Sequence, residues 1–444
     1  MNTLKPSTDS DSDKDLFEEY SGDGIYLYIN GKKHIDCASG TFNLSLGYST
    51  KEITDALHKQ LDRNSHLSSS YTKKQSAQVF NALKEFLPEH ITSYWFRDIT
   101  GSSANECALR IAHKATGKSG VVSLFLSHHG QSITTTSISG NAFRLQNFPV
   151  PVCNSLKIPA PDCNNCFYKQ QPTSCGTLCA RTLEQFIEYA SNGQIAALII
   201  EPILGNGGNI VPTEEYFRII REICDRYGIL IIADEVQTGF GRTGSFFAST
   251  GFAKALKPDI ITFAKGAGGI GIPVAGVLTR ANLNVLEAWE HSSTSGANPL
   301  SLVAMEEVIK YIKKNQILKN VQQQSIYLKK GLVQLAEKYQ SVNNVRGKGL
   351  MLAFDLPSNT DVASFIKIAQ ENQLIVRGSR YGFGNTVKIR PPLIITHAEV
   401  QETIRQLDRA LAQYESIKTT LERTVKHAER TSSQAVEITS NFFN

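Results

Sequence analysis

Three ionisable residues each stand at the end of a short apolar run: Glu201 after residues 196–200, Asp234 after 229–233 and Lys265 after 260–264. Short continuous apolar runs read as buried strands of a parallel sheet, so the residues just past them are delivered to one edge, where open α/β sheets bind ligands. Any one of these acids reads equally well as a helix cap or a solvated strand end. Together the three are harder to dismiss. A lysine held in apolar surroundings favours its neutral form, a nucleophile that forms a Schiff base with a carbonyl. An aspartate nearby keeps a pyridine nitrogen protonated, and a protonated pyridine ring is an electron sink for a carbanion.

Upstream, residues 100–106 (TGSSANE) open an amphipathic helix whose apolar positions Ala104, Cys107, Ala108, Ile111, Ala112 and Ala115 share one face. Ser103 and Glu106 have the spacing of a capping box. A Gly-Ser-Ser turn at a helix N-terminus offers backbone N–H groups and hydroxyls to an anion, so it suits a phosphate. Alone the signal is weak, because most capping boxes bind nothing.

With these residues in place, the chain resembles the class III pyridoxal-phosphate aminotransferases, the group that includes the ornithine and 4-aminobutyrate enzymes. The resemblance spans about residues 20–415 and is densest in 231–244 (IIADEVQTGFGRTG) and 262–266 (TFAKG). It implies pyridoxal 5'-phosphate as cofactor, with Lys265 forming the Schiff base and then shuttling a proton. It further implies that Asp234 pairs with the ring nitrogen, Val236 packs under the ring and Gln237 bonds the ring hydroxyl. Gly101 and Ser102 match the phosphate-binding turn. Thr294, in 291–300 (HSSTSGANPL), matches a threonine that reaches the phosphate of the other subunit, which implies a homodimer with its active site at the interface.

Three departures from the family pattern stand out. His128, in His128-His129-Gly130, occupies the place of an aromatic residue that stacks on the ring; imidazole stacks too, but when ionised it disfavours a cationic ring. Many dual-substrate members gate the site with an arginine three residues before a Pro-Pro pair, matched to a glutamate in Glu-Pro-x-x-Gly-Glu. Here Lys388 precedes Pro391-Pro392, and Asn206 stands in EPILGNGG. Both partners change together, which avoids leaving one buried charge unpaired. Arg390, on the same strand face as Lys388 if the strand is regular, offers a substitute anion contact. The substrate set is therefore Lys388, Arg390, Asn206 and Glu201.

Cys163, Cys166, Cys175 and Cys179 crowd one loop-like stretch (DCNNCFYKQQPTSCGTLCA). Such a set resembles metal or cluster ligands, but the spacing is not that of a standard zinc ribbon and cysteine is also a small buried hydrophobe. The expectation is reduced thiols without metal.

The 444 residues, 41% of them hydrophobic, can bury a large core; at roughly 150 residues per domain they suggest about two or three domains. The net charge of +5 comes without a basic run, which argues against nucleic acid, and no apolar run spans a membrane. The polar stretch 1–15 lacks the features of a secretory or transit signal, so the cytoplasm is the expected address. The predicted architecture is an α/β, fold-type I chain. An N-terminal segment (1–55), with a hairpin turning at Asn30-Gly31, joins the small domain; a large, mainly parallel sheet domain covers 56–300. A smaller α+β domain covers 301–417, with helices at 300–314, 317–339 and 398–414. A polar tail (418–444) starts as solvated helix and frays. The function expected is ping-pong transfer of an amino group between an amine or amino acid and an oxo acid. The rivals are a lyase, racemase or decarboxylase of the same family, and a non-catalytic metal- or cluster-binding protein. The intact set of Asp234, Gln237 and Lys265 argues against the last.

Overall fold

This computed structural model describes residues 19–146 and 154–442, with side chains of the last helix described through residue 421 and at 424. The stretch 1–15 lies outside them. Asn30 and Gly31 take φ of 49° and 75°, the left-handed values a two-residue hairpin turn needs. They follow β1 (Tyr20–Asp23) and join β2 (Tyr26–Ile29) to β3 (Lys32–Asp36).

The central sheet has seven strands: β4 (Ser93–Asp98), β5 (Gly120–Leu124), β6 (Ser155–Ile158), β7 (Ile195–Ile200), β8 (Leu230–Asp234), β9 (Ile260–Phe263) and β10 (Ala275–Thr279). Their order is β4-β10-β9-β8-β7-β5-β6. The run from β9 to β6 is parallel, and β10 is antiparallel to both neighbours. Successive residues of a strand face opposite layers. Ile199 and Ile232 join the core under the helix Gly101–Thr116, whereas Leu198, Ile200, Ile231 and Ala233 join the core on the other face. Layers on both faces explain why these strands read as unbroken apolar runs.

The helix Gly101–Thr116 starts differently from the capping-box expectation. Thr100 is extended (φ −133°, ψ 154°), and its Oγ1 accepts the Ser103 N–H at 3.1 Å. Ser103 is already inside the helix, so it cannot be the N-cap, and Glu106 instead accepts the Ser132 hydroxyl at 2.5 Å. The helix stops at Gly117, whose φ of 68° suits glycine.

Beyond the sheet, the helix Pro299–Lys314 is capped by Asn298, begins on a proline, and packs on the helices Lys51–Leu61 and Lys73–Leu83. The helix Ile317–Lys338 leads to β11 (Asn343–Lys348) and β12 (Met351–Asp355); the helix Asn359–Glu371 leads to β13 (Leu374–Ile375), β14 (Arg377–Gly378) and β15 (Thr386–Ile389). The second sheet, β11-β12-β15-β14, is antiparallel, while β13 lies parallel to β3 and ties the N-terminal hairpin to this half of the chain. The last helix, His397–Phe442, outruns the expected 398–414 and the frayed tail. It contains neither glycine nor proline, so nothing local stops it.

The cap assignment is testable by amide exchange. Thr100→Ala should speed exchange at the Ser103 amide about fivefold, the equivalent of losing ~1 kcal/mol of N-cap. Glu106→Ala should leave that amide unchanged; an equal effect would restore the capping box.

Candidate active site

Strand register sets Asp234, the last residue of β8, opposite Thr262 of β9, so the carboxylate lies beside the strand that leads to Lys265. Asp234 is buried. Its Oδ2 accepts from His129 Nδ1 and from Asn105 Nδ2, both at 2.8 Å, and its Oδ1 accepts the Val236 N–H at 3.1 Å. Because Nδ1 faces a carboxylate, it is assigned the ring hydrogen. Asn105 is held in turn: its Nδ2 also reaches the His129 carbonyl at 2.7 Å, and its Oδ1 accepts the Thr262 hydroxyl at 2.7 Å. Sequence reasoning gave Asn105 and His129 no role of their own, although both sat inside motifs it singled out.

Lys265 opens the tight turn after β9 with φ of 47°, a left-handed conformation that costs a non-glycine residue about 1–2 kcal/mol. Burial pushes its amine below the ordinary lysine range; Arg390 acts the same way, while Asp234 and Glu201 oppose. The position thus favours the neutral nucleophile expected from its place after an apolar strand.

Glu201, just past β7, is also buried. Its two oxygens accept the backbone N–H groups of His128 at 2.8 Å and Gly205 at 3.0 Å, so it ties two loops together instead of standing free toward substrate. Burial pushes its carboxyl up to about 7, with Asp234 adding to the rise and His129 opposing it. In the loop it holds, the His128 ring is driven down to about 3 by burial, with Arg144 and Lys265 adding to the effect. A neutral imidazole does not repel a cationic ring, which removes the conflict raised by this departure.

Gly101 packs against Val236: a Cβ at residue 101 would stand 2.9 Å and 3.0 Å from the two methyl groups, so glycine is required. Ser102 Oγ accepts the Gln131 N–H at 3.0 Å, fixing the turn whose leading N–H groups have no acceptor within the helix.

The substrate-side residues are arranged differently from the expectation. Lys388 of β15 and Arg390, just past its end, do lie on one side, and both cover the Phe42 ring, at 5.1 Å and 4.1 Å from its centroid. Arg390, however, already has protein acceptors. Its Nη1 donates to Gln237 Oε1 at 2.6 Å, and its Nη2 donates to the Gly205 carbonyl at 3.1 Å and to Asn209 Oδ1. Only its Nε lacks an acceptor. Lys388 is buried, and burial together with Arg390 and Arg377 pushes its amine well below the ordinary range. Asn206 accepts the Arg380 N–H at 3.1 Å, and its buried Nδ2 has no partner among the described residues. Thr294 stands apart, exposed in the turn before the helix Pro299–Lys314. Cys163, Cys166 and Cys175 lie in the loop before the helix Leu178–Ala190, and Cys179 is the second residue of that helix.

Pyridoxal 5'-phosphate fits these residues. Gly101 and Ser102 would hold the phosphate, Val236 and His128 would face the ring, Asp234 would meet the ring nitrogen, and Lys265 would supply the amine. Fold and site together define a fold-type I pyridoxal-phosphate enzyme. The chain belongs to the class III aminotransferase family, whose model matches residues 10–411. It is 32% identical to an acetylornithine aminotransferase of Bacillus cereus, over 87% of this chain and 92% of that protein. It is 31% identical to a leucine/methionine racemase of Thermococcus litoralis, over 87% and 88%. Among solved structures, an amine transaminase from an uncultivated Pseudomonas species in its PLP-bound form superposes with a TM-score of 0.84 at 28% identity, covering 93% of this chain and 99% of that one. The omega transaminase of Pseudomonas jessenii in complex with PMP gives 0.85 at 27%, covering 94% and 97%.

The neutral state of His128 has a direct check. Its side-chain nitrogen resonances should not titrate between pH 5 and pH 8, as expected for a group pushed down to about 3. A midpoint near the unperturbed value of about 6.5 would contradict the burial argument.

Proposed function

We propose that this aminotransferase works as a cytoplasmic homodimer on carboxylate-bearing substrates, with an oxo acid carrying one carboxylate as the preferred acceptor. The cofactor, when bound, supplies the electron-withdrawing ring and carries the amino group between the two halves of a ping-pong cycle. The protein does the rest. Lys265, held toward its neutral form, takes the proton from the substrate Cα and returns it. Asp234 holds a proton at the ring nitrogen, and His129 and Asn105 keep its carboxylate aimed. Gln237, with Oε1 occupied by Arg390, is left to present Nε2–H to the ring hydroxyl. Thr294, exposed on its own subunit, is available to a phosphate bound by the second copy.

One observation carries the acceptor assignment. Lys388 is a buried amine in place of the gating arginine, pushed toward its neutral form until a carboxylate is brought to it, Asn206 replaces the glutamate, and Arg390 is engaged with Gln237. A buried amine whose charge lacks a carboxylate partner gains most from a substrate that brings one. A single flexible ammonium does not reproduce the bidentate grip of a guanidinium on a distal carboxylate, so a two-carboxylate acceptor loses its advantage.

Racemisation is the second reading. It is favoured by the altered gate together with similarity to proteins named leucine/methionine racemase and, from Pyrococcus horikoshii, alanine/serine racemase. A racemase needs the same lysine and aspartate but no second substrate.

Steady-state kinetics separate these outcomes. The kcat/KM for pyruvate should exceed that for 2-oxoglutarate; the reverse order would sink the acceptor assignment. Sustained turnover with no oxo acid, accompanied by loss of Cα stereochemistry, would move the activity to racemase. Asp234→Asn should retain cofactor yet slow the chemical step by several orders of magnitude, and near-normal turnover would remove its assigned role.

A further inference from the structure

Asp98, Cys107 and His291 come from three parts of the chain and meet. Asp98 is the last residue of β4, and Cys107 is buried on the helix Gly101–Thr116. His291 stands in the stretch 284–298, which contains neither helix nor strand and leads to the helix Pro299–Lys314. One ligand atom from each of the three residues lies within 4.8 Å of the other two. Asp98 Oδ1 and His291 Nε2 are 3.0 Å apart. A tetrahedral zinc, bonded to oxygen and nitrogen at about 2.0–2.1 Å and to sulfur at about 2.3 Å, holds the first two about 3.3 Å apart and the sulfur about 3.6 Å from either. Shifts on the order of 1 Å therefore bring the three groups to the separations zinc requires.

A hydrogen bond from His291 to Asp98 accounts for only two of the groups. It leaves over the Cys107 sulfur and Asp98 Oδ2, which is buried without a partner among the described residues. The Asp98 side chain is 0% exposed, and one hydrogen bond compensates poorly for a carboxylate so far from water. A divalent cation supplies what is missing. Carboxylate and thiolate together carry two negative charges, so the filled site is neutral.

We propose that Asp98, Cys107 and His291 form a zinc site. Sulfur and imidazole nitrogen select zinc over magnesium or calcium. His291 is 10% exposed, so its ring reaches the edge of the solvent, and water takes the fourth position. Binding is coordination without redox change. The Cys107 thiol releases its proton to solvent, the His291 ring hydrogen passes from Nε2 to Nδ1, and thiolate, Nε2 and carboxylate each give an electron pair to the cation.

The ion would tie β4 and the helix Gly101–Thr116 to the stretch 284–298. That stretch is already held by Arg97 Nη1, which donates to the Ala288 carbonyl at 3.0 Å, and by Arg110 Nη1, which donates to the Glu290 carbonyl at 2.7 Å. Asp98 lies three residues before Gly101, and His291 three before Thr294. On the cofactor and dimer reading proposed above, one ion braces both segments that address phosphate; the zinc site itself does not depend on that reading.

Holoprotein incubated with zinc chloride and desalted should retain about one zinc per chain by elemental analysis. X-ray absorption at the zinc edge should show a single sulfur at about 2.3 Å, the other ligands being nitrogen or oxygen at about 2.0–2.1 Å. Cys107→Ala adds one alanine to a helix face that already carries Ala104, Ala108 and Ala112. This variant and His291→Gln should each lose the metal, whereas the doubly substituted Cys166→Ser, Cys175→Ser protein should keep it. Zinc should raise the Tm of the unaltered protein and leave that of Cys107→Ala unchanged. Should the variants fail to fold, the sulfur count in the unaltered protein decides. Retention below about a tenth of an equivalent, two or more sulfurs around the zinc, or full retention in Cys107→Ala would overturn the site.

Discussion

The Asp234 carboxylate sits almost wholly out of water, and its place in this structure depends on the donors brought to it. Burial of such a group costs several kcal/mol unless hydrogen bonds and opposite charge compensate. His129, Asn105 and the Val236 N–H come from three different segments, so the carboxylate is satisfied only when β8, the helix Gly101–Thr116 and the loop after β5 are all in place. Thr262 extends the same network to the strand that carries Lys265. The aspartate is therefore aimed by the fold as a whole. Among the described residues, Oδ1 has a single donor, the Val236 backbone N–H.

A second arrangement governs the opposite end of the site. Phe42, from the N-terminal segment, lies under both Lys388 and Arg390, and the π face of its ring favours the charged forms that burial and their proximity disfavour. Arg390 is otherwise satisfied by Gln237, Gly205 and Asn209, so its charge is fixed in the wall, while Lys388 keeps an uncommitted amine. Gly205 links the two ends. Its N–H holds Glu201, its carbonyl holds Arg390, and a Cβ there would stand 2.4 Å from Gln237 Oε1. The loop around Glu201 thus couples the His128 loop to Arg390 and, through it, to Gln237.

Much of this was legible in sequence, for identifiable reasons. Strands β5, β7, β8 and β9 are covered on both faces, so they show as unbroken apolar runs, and the residues after three of them are the chemical ones. Strands β4 and β6 lie at the sheet edges and carry polar or charged residues such as Arg97 and Lys157; with β10, a short strand among glycines and prolines, they left no comparable signal. The N-cap was misplaced by three residues because Thr100 and Ser103 both precede an apolar helix face, and only backbone angles tell them apart. Asn105 and His129 escaped notice because their work is done on another side chain across the sheet, and no spacing along the chain records that. Arg390 was read as an anion contact from its strand face; the face was right, but the acceptors it meets come from residues 153 to 185 positions away.

The cofactor end and the substrate end are constrained by different physics, which explains why one matches its family closely and the other departs from it. At the cofactor end Asp234, Asn105 and His129 are buried and hydrogen-bonded to one another, so changing one of them alone strands a partner at a cost of about 1–3 kcal/mol. At the substrate end, the family resemblance sets Lys388 and Asn206 where many members have an arginine–glutamate pair, and their joint replacement leaves no carboxylate stranded, so the scaffold tolerates the exchange. Aminotransferases and racemases need the same lysine and the same charged ring nitrogen, so the first set of residues cannot tell them apart. What separates them is whether the site, once the amino group has been given up, releases one oxo acid and admits another. Under the proposed function that choice would fall to Lys388, Asn206 and the loop held by Glu201, where this chain departs from the pattern it resembles.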